Sequence, residues 1–111
     1  TREVLKYINL GYSIALMIDQ RVSEGIKVDF FNRKAFTTTI PAQLIKKYKL
    51  NVVPVHIERI NKYYFNLSFH KQIKFDSSDD VETITINLNK NLENMILKNP
   101  SQWIWSHNRW K

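Results

Sequence analysis

The chain of 111 residues has no cysteine, only two glycines and no apolar run longer than Ile14 to Ile18. Without thiols there are no disulfides and no thiolate zinc sites, and a reducing compartment is permitted. Two isolated glycines leave no Gly-rich phosphate loop and no Gly-x-Ser-x-Gly elbow. The apolar run falls far short of the roughly 20 residues that span a bilayer, so membrane contact by this stretch is expected to be peripheral. Acidic residues are also few. Residues 1–75 carry 13 Lys/Arg against 5 Asp/Glu, and residues 76–111 carry 4 against 5. The basic surplus of the first two thirds favours anionic partners such as phosphorylated lipid, an acidic carrier protein or nucleic acid. An apolar share of 43% argues against disorder.

Tryptophan is missing from the first 102 residues, and all three then appear at Trp103, Trp105 and Trp110. They alternate with His107, Arg109 and Lys111 and with no acid. Indoles among cations suit a lipid headgroup layer or an anionic, partly apolar ligand. The same rings could instead fold back and fill the core.

Thr1 to Leu10 reads as the end of a helix, with Val4, Leu5, Tyr7 and Ile8 on one side and Gly11 as its C-cap. Ser13 to Ile18 has the continuous apolar character of a strand buried on both faces. A polar loop holding Gly25 follows, and then Ile26 to Phe31 as a short extended segment. Thr37, Thr38, Thr39 and Pro41 suit a helix start, the helix running to Lys49 with Asn51 as breaker. Val52 to Ile57 reads as a strand whose Pro54 implies an edge or a bulge. Tyr63 to Phe69 should pair with it antiparallel. Asp79 or Asp80 caps a helix from Val81 to Lys98, stopped by Asn99-Pro100. The order α-β-loop-α-β-β-α-tail predicts an α/β fold: a partial mixed sheet with flanking helices and a right-handed parallel strand–helix–strand unit. So few strands should leave a sheet edge and apolar surface uncovered. They are expected to be one part of a longer chain that continues ahead of Thr1.

Asp19 leaves the end of a strand, where open α/β sheets place ligand crevices. Its carboxylate, followed by Gln20 and Arg21, suits orienting a histidine or holding a hydroxyl, or simply stabilising a loop. Arg33, Lys34 and the three threonines suit phosphate as cations and hydroxyls at a helix start, or else form a solvated loop. None of His56, His70 and His107 has an acid five residues on, the spacing that often pairs a base with its acid. A complete active site is therefore not expected within these residues.

Together these motifs resemble the carboxy-terminal part of the late acyltransferases of lipid A biosynthesis, the lauroyl and myristoyl transferases. Ala15-Leu16-Met17-Ile18-Asp19-Gln20 resembles the family's strand ending in Asp-Gln. Gly25, Val28, Phe30-Phe31, Ala35 and Thr37 follow its Gly-x-x-Val-x-Phe-Phe-Gly-x-x-Ala-x-Thr pattern. Val53-Pro54-Val55 is similar to its Val-Pro block. Asn87, Leu92-Glu93 and Ile96 resemble its final helix, and the segment from Pro100 to Lys111 its ending. Asn32 stands where the family usually has glycine, and Asn108 where a second arginine is usual.

The resemblance implies the C-terminal half of a glycerolipid-acyltransferase-like fold, with residues 1–111 as one unit and the catalytic His-x-x-x-x-Asp/Glu pair lying upstream. It implies an enzyme of the bacterial inner membrane, at the cytoplasmic face, inactive as this stretch alone. The reaction is transfer of a fatty acyl chain from acyl carrier protein to a hydroxyl of a phosphorylated glucosamine lipid, without cofactor or metal. Asp19 and Gln20 would support the catalytic pair, and Arg21, Arg33, Lys34 and Thr37 would bind substrate. Trp103, Trp105, His107, Arg109 and Trp110 would meet the membrane or pack as a tail. The partners implied are acyl-acyl carrier protein, a phosphorylated glycolipid acceptor and an anionic membrane surface, not nucleic acid. Two other readings stay open: a non-catalytic basic module binding anionic membrane or another polyanion, and an acyltransferase of this fold with a glycerolipid or glycolipid acceptor.

Overall fold

The computed structural model describes residues 2–111, so Thr1, the first residue of the expected helical segment, lies outside the described residues. In chain order the elements are α1 (Arg2–Asn9), β1 (Ile26–Phe30), β2 (Arg33–Thr37), α2 (Ile40–Tyr48), β3 (Val55–Arg59), β4 (Phe65–Phe69) and α3 (Val81–Ile96). Two 3-10 turns follow, at Pro100–Gln102 and Trp105–His107. The fold is α/β, with two antiparallel hairpins, β1–β2 and β3–β4.

Helix α3 organises the chain. Asp80 caps it by accepting the Thr83 N–H at 2.7 Å, and that bond holds the Asp80 carboxyl below its ordinary value. Ile84, Leu88, Leu92 and Ile96 recur every four residues and form one buried stripe. The first two pack with Ala42 and Ile45 of α2, and the last two pack with Phe30 and Ala35 of the β1–β2 hairpin. Ile18 touches both clusters and ties them together.

The β1–β2 turn consists of Phe31 and Asn32, both left-handed at φ 51° and 57°. Two such residues make the type I′ turn whose twist matches a two-residue hairpin. Asparagine tolerates this conformation nearly as glycine does, which explains Asn32 where glycine is usual. Phe31 is less suited to it. Its N–H is secured by the Glu93 carboxylate of α3 at 2.8 Å, and its ring packs edge-on to Phe30. Gly25 precedes β1 because a Cβ there would lie 2.3 Å from the Thr37 carbonyl oxygen.

In the β3–β4 hairpin Val55 pairs with Phe69, Ile57 with Leu67, and Arg59 with Phe65. These residues face solvent, while His56, Glu58 and Ser68 turn half-buried toward the body of the protein. Pro54 breaks the ladder between the Val52–Ile73 bridge and β3, and its carbonyl accepts the His70 N–H at 2.9 Å. The expected antiparallel pairing, proline interruption and uncovered apolar surface are therefore all present.

Three sequence expectations need correction. Ser13 to Ile18 is irregular chain rather than a buried strand. It has no strand to pair with among the described residues, Met17 is 82% exposed, and only Ile14 and Ile18 turn inward. With that strand absent, no parallel strand–helix–strand unit forms among the described residues. Arg33 and Lys34 belong to strand β2, not to the start of α2, because the I′ turn sends the chain straight back along β1. Helix α2 ends at Lys49 as expected, where a left-handed φ of 52° lets the Lys49 N–H reach the Ile45 carbonyl.

Candidate functional site

Thr37, Arg33, Trp103, Arg109 and Trp110 meet where the tail crosses the β1–β2 hairpin. Asn108, left-handed at φ 47°, follows the second 3-10 turn and directs Arg109 inward. Here too an asparagine occupies a backbone position that it tolerates better than arginine would. Arg109 is 0% exposed. Its guanidinium donates to the Phe36 carbonyl and, at 2.9 Å, to Thr37 Oγ1, and its Cζ lies 5.4 Å from the centre of the Phe30 ring. Burial pushes the Arg109 pKa below the ordinary guanidinium value, and the charge of Asp19 opposes that shift.

Thr37 is the hub of the arrangement. Its hydroxyl donates to the Ala35 carbonyl at 3.3 Å and accepts from Asn89 Nδ2 at 3.2 Å and from Arg109. Asn89 Nδ2 also reaches the Asp29 carbonyl at 3.1 Å. Asn89 and Thr85, four residues apart, run beside the apolar stripe of α3. That polar line along a buried face was the sequence signal for Asn89, which motif reading passed over. The Asn89 Oδ1 and Arg109 Nε atoms are buried without a partner in the protein.

The indoles complete the closure. Trp110 Nε1 donates to the Phe30 carbonyl at 2.8 Å, and Trp103 meets the Phe30 ring edge-on at 5.7 Å. Trp105 donates to the Pro100 carbonyl at 2.7 Å and stays 44% exposed. Gln102 clips the tail to β3 by accepting the Arg59 N–H at 2.8 Å and donating to the Arg59 carbonyl at 2.9 Å. The rings therefore take the fold-back option, with Trp105 left as the most open of the three.

Thr37 is buried with its hydroxyl engaged inside the protein. Arg109 is buried as well, packed as part of the tail. Asp19 is half-buried at the rim, and Gln20 and Arg21 beside it are exposed. Arg33 is exposed, with its Cζ 5.3 Å from the Trp110 ring centre. Lys34 faces away to Asp29 at 3.1 Å, an exposed pair that contributes little. His107 is exposed on its own turn. His56 and His70, with rings 6.4 Å apart, lie at the other hairpin.

Around this buried frame lie the half-buried Asp19 carboxylate and the exposed Arg33 against the Trp110 ring. Such a surface can bind and orient an anionic, partly apolar molecule. Among the described residues no side chain joins it as a base paired with an acid. No described helix is long and apolar enough to cross a membrane.

No curated protein matches the chain. A family model does, that of the bacterial lipid A biosynthesis acyltransferases, over residues 1–111. With Asp-Gln, the Phe-Phe hairpin and the Trp-rich ending drawn into one assembly, and with that match running the whole length, this chain belongs to the lipid A biosynthesis acyltransferase family.

Proposed function

We propose that the protein transfers a fatty acyl chain from acyl carrier protein to a hydroxyl of a phosphorylated glucosamine lipid, at the cytoplasmic face of the bacterial inner membrane. The family match across residues 1–111 carries this reading. The exposed Arg33 beside the Trp110 ring supports it, because phosphate and sugar need cations beside an apolar platform. These residues form the acceptor side of the site. A histidine from a His-x-x-x-x-Asp/Glu pair elsewhere in the enzyme takes the proton of the acceptor hydroxyl. The oxygen attacks the thioester carbonyl, the C–S bond breaks, and the proton passes to the departing carrier thiol. Asp19 supports that pair from the rim. Trp105 and His107, the exposed part of the tail, meet the headgroup layer.

Membranes from cells expressing the encoded protein test the reading. Acyl carrier protein loaded with one fatty acid should raise the mass of a phosphorylated glucosamine lipid by a single acyl group. Acylation of a lysoglycerophospholipid instead would move the acceptor to the glycerolipid class. Tight binding to anionic vesicles with no transfer to either acceptor would leave a binding module. In the active enzyme, Asp19→Asn should lower turnover on the order of 10²-fold, the scale of a supporting group for acid–base catalysis, with the thermal melt unchanged. Unchanged turnover would remove Asp19 from the reaction.

A further inference from the structure

The β3–β4 hairpin presents its apolar face to water and its polar face to the protein, the reverse of an ordinary half-covered sheet. On the inward side Glu58 accepts from Asn99 Nδ2 at 3.1 Å. On the outward side Val55, Ile57, Leu67 and Phe69 form an exposed apolar row, a surface suited to something less polar than water. That surface does not end with the strands. The turn is closed by the Ile60 N–H donating to the Tyr64 carbonyl at 2.9 Å, and its side chains continue the apolar surface. Ile60 is exposed there, Tyr63 is 84% exposed and Tyr64 70%.

The charges around this surface are nearly all of one sign. Residues 51–75 carry four cations, Arg59, Lys62, Lys71 and Lys74, and one acid, Glu58, which is the inward one. Arg59 ends the outward row of β3, and its Cζ lies 5.1 Å from the Phe65 ring centre, so the guanidinium sits at the edge of the apolar face. Lys62 stands in the turn between Ile60 and the two tyrosines. Neither cation joins an ion pair among the described residues. A packed protein cover would have to take both from water with acids of its own. A lipid surface does not, because its phosphates lie at the same level as the cations while the apolar row and the tyrosine rings reach below them. Gln102, bonded to the Arg59 N–H and carbonyl, sets the tail beside this edge. We propose that the outward face and turn of β3–β4 are a docking surface for an anionic lipid bilayer, with Arg59 and Lys62 on its phosphates. The proposal rests on the membrane placement given above and not on acyl transfer.

The chain has no cysteine, so a nitroxide can be attached within it at one introduced position. In the encoded protein reconstituted with phosphatidylglycerol-rich vesicles, labels on Tyr63→Cys and Leu67→Cys should be reached by oxygen dissolved in lipid and shielded from an aqueous nickel chelate. A label on Asn66→Cys, which alternates to the other side of β4, should stay open to the chelate. Arg59→Gln with Lys62→Gln should lower the ratio of immersed to aqueous label at Leu67→Cys on the order of 25-fold, about fivefold per cation. A Leu67→Cys label shielded from both reagents would mean that protein covers the face. One open to the chelate despite the vesicles would mean that the face stays in water. Either result overturns the proposal, and equal immersion in phosphatidylcholine vesicles would remove anionic lipid as the occupant. Immersion without acyl transfer would sink the transfer reading alone, and transfer with the label in water would sink the docking alone.

Discussion

The two hairpins are built to the same length and treated in opposite ways. Each has two strands of five residues in antiparallel register; β1, β3 and β4 alternate apolar with polar side chains, and β2 (Arg33-Lys34-Ala35-Phe36-Thr37) does not. In β1–β2 the alternating face of Val28, Phe30, Ala35 and Thr37 is buried beneath α3 and the tail. In β3–β4 the face of Val55, Ile57, Leu67 and Phe69 lies open, and the polar face turns inward to Asn99, which donates from Nδ2 to Glu58 at 3.1 Å. Alternation therefore defines two faces of a hairpin without saying which one the rest of the protein covers.

The sharpest way to break that comparison is to remove one phenylalanine from each hairpin. Phe30 is 0% exposed, and Phe30→Ala should cost about 3–5 kcal/mol by chemical denaturation, the cavity cost of a buried ring. Phe69 is 71% exposed, and Phe69→Ala should stay within roughly 0.5 kcal/mol. Similar costs for both would mean that the outward face of β3–β4 is covered in solution.

A smaller effect is expected at the polar seam beneath the first hairpin. Asn89→Ala leaves the Asp29 carbonyl and the Thr37 hydroxyl short of a donor, at about 1–3 kcal/mol. Faster exchange at β1 and β2, with β3 and β4 unchanged, would identify the seam as the cause. The least effect on stability, and the largest on solution behaviour, should come from Ile57→Lys with Leu67→Lys. These charges sit on an exposed apolar patch, so self-association and apolar-dye binding should fall while the melt barely moves. Unaltered association would place the sticky surface elsewhere, with the exposed side chains of Tyr12 and Met17 next in line.

Legibility in the sequence followed locality. Helix α3 was readable nearly to its ends, because a capping aspartate, a four-residue apolar stripe and Asn-Pro are all signals carried within one segment. The β3–β4 pairing was readable for the same reason. The β1–β2 turn was not, since Phe31-Asn32 lacks the glycine that marks a tight turn, and its left-handed phenylalanine depends on Glu93, 62 residues away. Ser13 to Ile18 misled because a continuous apolar run describes burial only if a neighbouring strand supplies its backbone partners. The tail's composition announced that it mattered, and it carried two compatible meanings. Trp103 and Trp110 pack against the core cluster while Trp105 and His107 remain open.

Composition and spacing by themselves determined the α/β class, the absence of thiol chemistry, the capped final helix and the motifs shared with the lipid A acyltransferases. These are properties of residue type and short-range period, and they need no partner to be expressed. Only the tertiary structure decided which face of each hairpin is buried, that Thr37 is an internal hub, and that Arg109 is a buried cation donating to the Phe36 carbonyl and the Thr37 hydroxyl. Each of those depends on groups distant in sequence sharing one small volume, where desolvation and charge act between neighbours in space.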